Sequence, residues 1–355
     1  MAVSRSRARS RSTSTERRPR TQADLPLLVV SIGCPAGIGP EVSVRAASQI
    51  RDARCVLVGD PGVIERAAKL VGVARARLVP FSGEAPEAGR IAVHAAGPKL
   101  SARDLKSAQL TSAAGAAQLE YIETAYALVA AKKGRALVTG PVSKAAIAHS
   151  GLKRARHFLG HTEWLRDLDG ARSSVMCFAS KRLVTSLVTT HVPLGRVPGE
   201  ITPKGVQSAT VELVNLLEGM GLERPRVAVA SLNPHAGESE LLGNEERRAI
   251  VPGIRAAARA LGARAEIVGP VGAETAYRKA YGGAFQGVVA MYHDQATIPL
   301  KLVAFGDAVN VTMGLSVVRT SVDHGTAYDI AWKGRAEASG MRAALELAAR
   351  LVGRR

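Results

Sequence analysis

The chain alternates short, uninterrupted apolar runs with segments in which apolar residues recur at helical spacing. The run "LPLLVVSIG" from Leu25 predicts a strand, and "PEVSVRAASQI" after it predicts a helix with Pro40 in its first turn. "RCVLVGD" at 54–60 and "GVIERAAKLVG" at 62–72 repeat that order. Strands that are apolar throughout are typical of a parallel sheet covered by helices on both faces. The pattern therefore predicts an α/β protein.

The same alternation continues through the rest of the chain. A long Ala-rich helix is predicted over 105–133, and "SSVMCFAS" and "RLVTSLVTTH" predict two strands joined by a tight turn at Ser180 and Lys181. Further strands are predicted at "RVAVASL", "AEIVGP" and "GVVAMY", and further helices near 203–218, 244–262 and 339–352. A length of 355 residues is too great for one ordinary core and suggests two domains.

Composition narrows the class of protein. Hydrophobic residues make up 46% of the chain but aromatic residues only 4%, so the core must be aliphatic. The cysteines, Cys34, Cys55 and Cys177, have no C-x-x-C spacing, which argues against a disulfide framework and fits a reducing cytoplasm. The sequence has no apolar run long enough for a membrane span and no secretory signal pattern. We expect a cytoplasmic enzyme with no membrane partner.

The net charge of +18 is concentrated in part at the N-terminus. Residues 1–24 contain seven arginines against two acidic residues, a net +5, and have almost nothing apolar to bury. We expect this tail to be disordered. It could bind nucleic acid by neutralising phosphates, which is an alternative function of a different class. The high charge of the body without interleaved aromatics favours a solubilising extension instead.

Three histidines stand at equivalent places in the pattern. His191, His235 and His293 each follow an apolar run, in "TTHVPL", "NPHAGE" and "MYHDQ". Ligands of open α/β sheets bind beyond the carboxyl ends of strands, and three neutral imidazoles can hold a metal while leaving positions for water or substrate. Any one of them alone could be a hydrogen-bonded loop residue. Glu238 and Asp294 are candidates to orient the rings, or Asp294 could itself be a ligand.

Two glycine-containing turns are ambiguous from the residues alone. "GCPAGIGPE" at 33–41 lacks the G-x-G-x-x-G spacing of a dinucleotide fingerprint and indicates a tight strand-to-helix turn or a close backbone approach. "SVDHGTAYDIA" at 321–331 could receive a flat ring at His324 and Gly325, or it could cap a helix beginning near Ala327.

Taken in order, seven motifs resemble those of the 4-hydroxythreonine-4-phosphate dehydrogenase family. The resemblance covers residues 26–352 and rests on "GCPAGIGPE", "TGPVSK", "GHTE", "TTHVPL", "NPHAGE", "YHDQ" and "GLSVVRTSVDHGTAYDIA". It implies a two-domain fold like that of isocitrate and isopropylmalate dehydrogenases, with the active site in the cleft between domains. It also implies binding of NAD or NADP without the Rossmann glycine pattern.

The resemblance implies how the chain is divided and assembled. The first α/β domain would comprise 25–150 together with 310–355. The second would comprise 151–309 and carry the metal ligands and the dimer interface. In the implied homodimer, one subunit contributes His293 to the other subunit's pair, His191 and His235.

The resemblance also assigns roles to individual residues. It places one divalent ion (zinc, magnesium or cobalt) on His191, His235 and His293. It implies that the substrate contacts are His161, Thr162, Lys301, Asn310 and Arg319, with Lys301 also moving the hydroxyl proton. The cofactor contacts would be His324, Gly325, Thr326 and Ala327. An alternative for Arg319 is a surface pair with Asp323.

The implied reaction belongs to pyridoxal 5'-phosphate synthesis. The family oxidises 4-phosphooxy-L-threonine to a β-keto acid, which loses carbon dioxide to give 3-amino-2-oxopropyl phosphate. Related dehydrogenases act on D-threonate or D-erythronate 4-phosphate or on aromatic cis-dihydrodiols, which are alternative substrates. The sequence departs from the family at Cys34, where an acidic residue is usual, and at Trp332 and Lys333 beyond the cofactor segment.

Overall fold

The computed structural model describes residues 25–106 and 110–353, so the predicted disorder of 1–24 lies outside the described residues. Twelve strands form one sheet in the order β3-β4-β2-β1-β5-β12-β11-β6-β7-β10-β8-β9. The strands are β1 Leu27–Ser31, β2 Arg54–Gly59, β3 Leu78–Pro80, β4 Ile91–Ala95, β5 Ala136–Thr139, β6 Val175–Ala179, β7 Val184–Leu187, β8 Arg226–Ala230, β9 Glu266–Val271, β10 Gly287–Ala290, β11 Val309–Met313 and β12 Val318–Val322.

Helices cover both faces of this sheet, as the alternating pattern predicts. They are α1 Gly39–Gln49, α2 Pro61–Leu70, α3 Ser112–Ala130, α4 Lys144–Ala148, α5 His161–Asp169, α6 Val197–Glu200, α7 Pro203–Gly219, α8 Val251–Leu261, α9 Ala273–Tyr281, α10 His293–Ala304 and α11 Ser339–Val352. A π-helical segment, Glu246–Ile250, leads directly into α8. Within the described part of the chain, no helix combines the length and hydrophobicity that a bilayer crossing requires.

The strand directions divide the sheet into two parallel blocks. One block comprises β3, β4, β2, β1, β5 and β12, which are all parallel to one another. The other comprises β7, β10, β8 and β9, which are also parallel to one another. Antiparallel pairings of β12 with β11, β11 with β6 and β6 with β7 join the blocks. β12 and β11 therefore lie between β5 of the first predicted domain and β6 of the second. The division of the chain into those domains stays a prediction.

The core is aliphatic, which confirms the expectation from composition. The side chains of β1 and β2 are almost entirely buried, and Leu28, Val30 and Leu57 are 0% exposed. These strands are covered on both faces, so their residues are apolar at successive positions rather than alternating.

One of the two alternatives for 321–331 is wrong. No helix begins near Ala327: residues 328–334 form successive turns, and Ala327 and Trp332 adopt positive φ angles of 44° and 59°. Both side chains are partly buried against the main core, so tertiary contacts here override local propensity. The long Ala-rich helix is also shorter than predicted, because Thr111 caps α3 by accepting a hydrogen bond from the Ala114 N–H.

Candidate active site

The three predicted histidines follow three neighbouring strands. His191 follows β7, His293 follows β10 and His235 follows β8, and β10 pairs in parallel with both β7 and β8. The carboxyl ends of these strands therefore lie at one edge of the sheet. This edge is where an open α/β sheet presents a ligand site.

His191 and His293 lie side by side, and each has a carboxylate near Nδ1. Their ring centroids are 5.8 Å apart. Nδ1 of His293 donates to Oδ1 of Asp294 at 2.7 Å, and Nδ1 of His191 lies 4.0 Å from Oε1 of Glu163. Partial burial and the charge of Lys144 lower the pKa of His191, which favours the neutral ring. A carboxylate on one ring nitrogen leaves the other available to a metal ion.

His235 lies on a loop whose backbone is held in an uncommon shape. His235, Ala236, Glu238 and the two residues after it all have positive φ angles between 41° and 75°. Such angles cost non-glycine residues free energy and persist where surrounding contacts hold them. The exposed ring of His235 borders a cavity of about 560 Å3 that Asp294 also lines.

The buried carboxylate of Glu246 fixes the beginning of this loop. Oε1 of Glu246 accepts from the backbone N–H groups of Leu232 and Asn233, both at 2.9 Å, and Oε2 accepts from the Asn233 side chain at 2.9 Å.

Among residues 25–106 and 110–353 of a single chain, no three His, Cys, Asp or Glu side chains are grouped closely enough to hold a metal ion. One chain thus pairs His191 with His293, and His235 stands apart from them.

Arg319 is a buried cation whose hydrogen-bond partners are neutral side chains. Its side chain, on β12, is 2% exposed. Nη1 donates to Asn310 Oδ1 at 3.1 Å and to Thr312 Oγ1 at 2.8 Å, and Nη2 donates to Thr139 Oγ1 at 2.7 Å. Nε is buried and has no partner in the described part of the chain. Burial lowers the pKa of the guanidinium to about 9, which reflects the cost of holding a charge there.

The alternative in which Arg319 pairs with Asp323 at the surface is wrong. The Arg319 side chain is inside the protein, and Asp323 lies 3.4 Å from Nζ of Lys301 instead. Lys301 is therefore outside the Arg319 network within one chain. Burial raises the pKa of Asp323 and Lys301 counteracts the shift.

His161 and Thr162 open α5 beside Arg319. Thr162 Oγ1 lies 3.3 Å from Thr312 Oγ1, the hydroxyl that Arg319 also contacts. The ring of His161 is partly buried, and its Nε2 is fully buried with no partner among the described residues. Burial, then Arg319 and Lys144, lower the pKa of His161 well below its usual value, so the ring is neutral near pH 7. Arg319 and His161 thus present unpaired buried nitrogens close together.

The predicted cofactor segment packs against the glycine-rich turn. The N–H of Ile38 donates to the Thr326 carbonyl at 2.9 Å, and a Cβ at Gly37 would lie 2.7 Å from that oxygen. The approach needs glycine at position 37. The turn that lacks the dinucleotide fingerprint thus supports the segment that begins at His324.

Both departures from the family pattern lie where these two turns meet. Cys34 is 1% exposed, and its Sγ lies 3.6 Å from the Tyr328 hydroxyl. Trp332 Nε1 donates to the Pro35 carbonyl at 2.9 Å, and the buried carboxylate of Glu41 accepts from the Trp332 N–H. The indole therefore contacts the glycine-rich turn rather than standing free at the cofactor edge.

A family model described as pyridoxal phosphate biosynthetic protein PdxA matches residues 51–348. The chain belongs to this family. It is 40% identical over 332 residues to 4-hydroxythreonine-4-phosphate dehydrogenase of Desulfosudis oleivorans, covering 91% of this chain and 95% of the relative. It is also 35% identical to D-threonate 4-phosphate dehydrogenase of Pectobacterium atrosepticum, covering 92% and 99%. The predicted resemblance is confirmed.

A solved member of the PdxA family has the same fold. The crystal structure of 4-hydroxythreonine-4-phosphate dehydrogenase from Klebsiella pneumoniae superposes with a TM-score of 0.79 at 35% identity, covering 92% of this chain and 99% of that one. The predicted fold class is confirmed by this agreement.

Sequence reasoning missed the polar side chains that hold the predicted site residues. Thr139 and Thr312 accept hydrogen bonds from Arg319, and Glu163 lies beside His191. Thr139 and Glu163 fall inside the quoted motifs "TGPVSK" and "GHTE", so their positions carried a signal. Thr312 has no such signal, since its role follows from its position opposite Arg319 across β11 and β12.

Proposed function

We propose that the protein is an NAD(P)-dependent dehydrogenase that oxidises 4-phosphooxy-L-threonine in pyridoxal 5'-phosphate synthesis. The observation that carries the proposal is the buried guanidinium of Arg319, which has only neutral partners among the described residues and a free Nε. No carboxylate among the described residues forms an ion pair with this guanidinium, and the charge of Glu163 only partly offsets the cost of burying it, so an anionic ligand would stabilise the site. The names of the two relatives described above, both dehydrogenases of phosphorylated acids, agree with that chemistry.

The chain's own residues would fix the substrate at one end. Nε of Arg319 and Nε2 of His161 can each donate to an anionic oxygen, and Thr162 and Asn310 surround them. Charge-assisted hydrogen bonds of this kind are stronger than neutral ones and impose orientation. The substrate hydroxyl would then face the histidine edge of the sheet.

The donor set fits a divalent metal ion. His191 and His293 are adjacent imidazoles with a carboxylate near each Nδ1, and His235 is exposed on a fixed loop. We propose that these three hold zinc, magnesium or cobalt. A bound ion would supply Lewis-acid stabilisation of the developing oxygen charge.

Proton and hydride transfer require two further parts of the chain. Lys301, which lies 3.4 Å from Asp323, is the candidate through which the hydroxyl proton would leave to solvent, and a bound nicotinamide would supply the hydride acceptor. The segment His324, Gly325, Thr326 and Ala327, supported by Gly37, is the candidate binding site for NAD or NADP. The β-keto acid would lose carbon dioxide to give 3-amino-2-oxopropyl phosphate.

A homodimer is proposed because α10 exposes an apolar face. Ile298 and Leu302 on α10 and Phe305 directly after it are 66%, 83% and 86% exposed. Exposed apolar patches of this kind mark interfaces. The proposed second copy would cover this face and contribute its His293 to the pair His191 and His235. The three buried free cysteines agree with a cytoplasmic location.

D-threonate 4-phosphate is a second candidate substrate, because a relative of nearly equal identity carries that name. Initial rates of nicotinamide reduction with 4-phosphooxy-L-threonine, D-threonate 4-phosphate, D-erythronate 4-phosphate and a cis-dihydrodiol would separate the candidates. The proposal predicts the highest kcat/KM for 4-phosphooxy-L-threonine, with NAD or NADP. A higher value for either sugar-acid phosphate would assign the protein to that reaction instead.

A further inference from the structure

Lys144 is the first residue of α4 and lies on a rigid base. Ser143 caps this helix by accepting from the Ala146 N–H at 3.2 Å, and the Ser143 N–H donates to the buried side chain of Gln118 at 2.8 Å. The position of the Lys144 backbone is therefore well defined, although its side chain is exposed.

The ammonium of Lys144 lies beside Gly160, the residue directly before His161. A Cβ at Gly160 would lie 3.6 Å from both Cε and Nζ of Lys144 and 2.9 Å from Oε2 of Glu163. The side chains of Lys144 and Glu163 therefore both lie against Gly160, and only that of Glu163 would be crowded by a larger residue there. The charge of Lys144 also lowers the pKa of His161 and of His191, so it is close to both rings.

This ammonium has no protein partner in the described part of the chain. No hydrogen bond or ion pair within 25–106 and 110–353 involves its side chain, and Glu163 approaches His191 instead. Lys144 and Arg319 thus place two cations near His161, and Glu163 is the one carboxylate that the structure shows beside both of them among the described residues. A phosphate, with about −1.5 to −2 charges near pH 7, suits such a site better than a carboxylate.

We propose that Lys144 is a substrate-binding residue that contacts the phosphate group of the substrate, an assignment that rests on the proposed function. Both Nη atoms of Arg319 are already engaged by Asn310, Thr312 and Thr139, so Arg319 offers only Nε to a ligand. A phosphate has three terminal oxygens and needs further donors. An ammonium is a suitable point-charge donor for them.

The test compares Lys144→Met and Lys144→Arg with the wild-type protein. Loss of one charge-assisted hydrogen bond should raise KM for 4-phosphooxy-L-threonine roughly ten- to hundredfold in Lys144→Met. Lys144→Arg should recover much of this loss, and the content of bound metal should not change. Lys181→Met is the matched control, because Lys181 is an exposed lysine in the turn before β7, away from the histidines. An unchanged KM in Lys144→Met would overturn the assignment.

Two further arms separate this assignment from the proposed function. With the unphosphorylated analogue 4-hydroxy-L-threonine, Lys144→Met and wild type should have equal kcat/KM, and a persistent penalty would overturn the phosphate contact. Inorganic phosphate should raise the Tm of wild type more than that of Lys144→Met, whatever the substrate. If wild type oxidises none of the candidates but this difference is seen, the proposed function fails and the Lys144 site stands. Equal Tm shifts would overturn the Lys144 site.

Discussion

Replacing Arg319 with lysine should be severe although the charge is kept. The guanidinium donates at 3.1, 2.8 and 2.7 Å to acceptors on two different strands, β11 and β5. The single ammonium of lysine cannot reach the acceptors on both β5 and β11. At least the hydrogen bond to Thr139 or the one to Asn310 is therefore lost. Buried hydrogen bonds from a charged group are worth about 1.5 to 3 kcal/mol each, so we expect a loss of about 2 to 3 kcal/mol in stability.

Substrate binding should lose a comparable amount, because the Nε donor that is proposed to bind the anionic group disappears. We expect Kd or KM for the phosphorylated substrate to rise roughly ten- to hundredfold. Urea denaturation would measure the stability and steady-state kinetics the substrate affinity, with metal content as the control for an intact histidine edge. Near-normal kcat/KM together with wild-type stability in Arg319→Lys would refute the buried anion site.

Three other perturbations test separate parts of the site. His235→Ala should lose most bound divalent metal and nearly all turnover while the circular dichroism spectrum persists, since the ring is exposed; full metal occupancy by elemental analysis would contradict this. Burial, Arg319 and Lys144 hold the pKa of His161 well below 6.5, so below that pH the unfolded chain binds a proton that the folded chain does not. The free energy of unfolding should therefore fall as the pH drops below 6.5. His161→Gln should reduce the slope of that free energy against pH by up to about 1.4 kcal/mol per pH unit. Identical slopes in the variant and the wild type would show that His161 does not titrate this way. Deleting 1–24 should leave kcat and KM unchanged, and a large rise in KM would show that the tail helps to capture anionic substrate.

The histidine edge could be predicted from sequence because it depends on strand order alone. Apolar runs mark where strands end, and parallel strands bring the residues after them to one edge. His191, His235 and His293 follow β7, β8 and β10 as that reasoning requires. It does not predict that one chain pairs His191 with His293, because that depends on how each loop turns beyond its strand.

The surroundings of Arg319 could not be predicted in this way. Its partner Thr139 is 180 positions away and is brought near by the pairing of β5 with β12. The sequence left a loop or a helix near Ala327 open for a related reason, since the turns at 328–334 depend on Glu41, whose carboxylate accepts the Trp332 N–H from the other end of the chain. Such contacts follow from the register of the sheet and the packing of loops, which local residue patterns do not contain.

The most direct test of the account is a crystal structure of the protein with 4-phosphooxy-L-threonine and zinc, with diffraction data collected at the zinc absorption edge. We expect one anomalous peak per site, bonded to His191 and His235 of one subunit and to His293 of the other. We also expect the substrate's anionic group to lie within hydrogen-bond distance of Arg319 Nε or His161 Nε2. A zinc peak away from these histidines, or a substrate bound without contact to Arg319 and His161, would contradict the account.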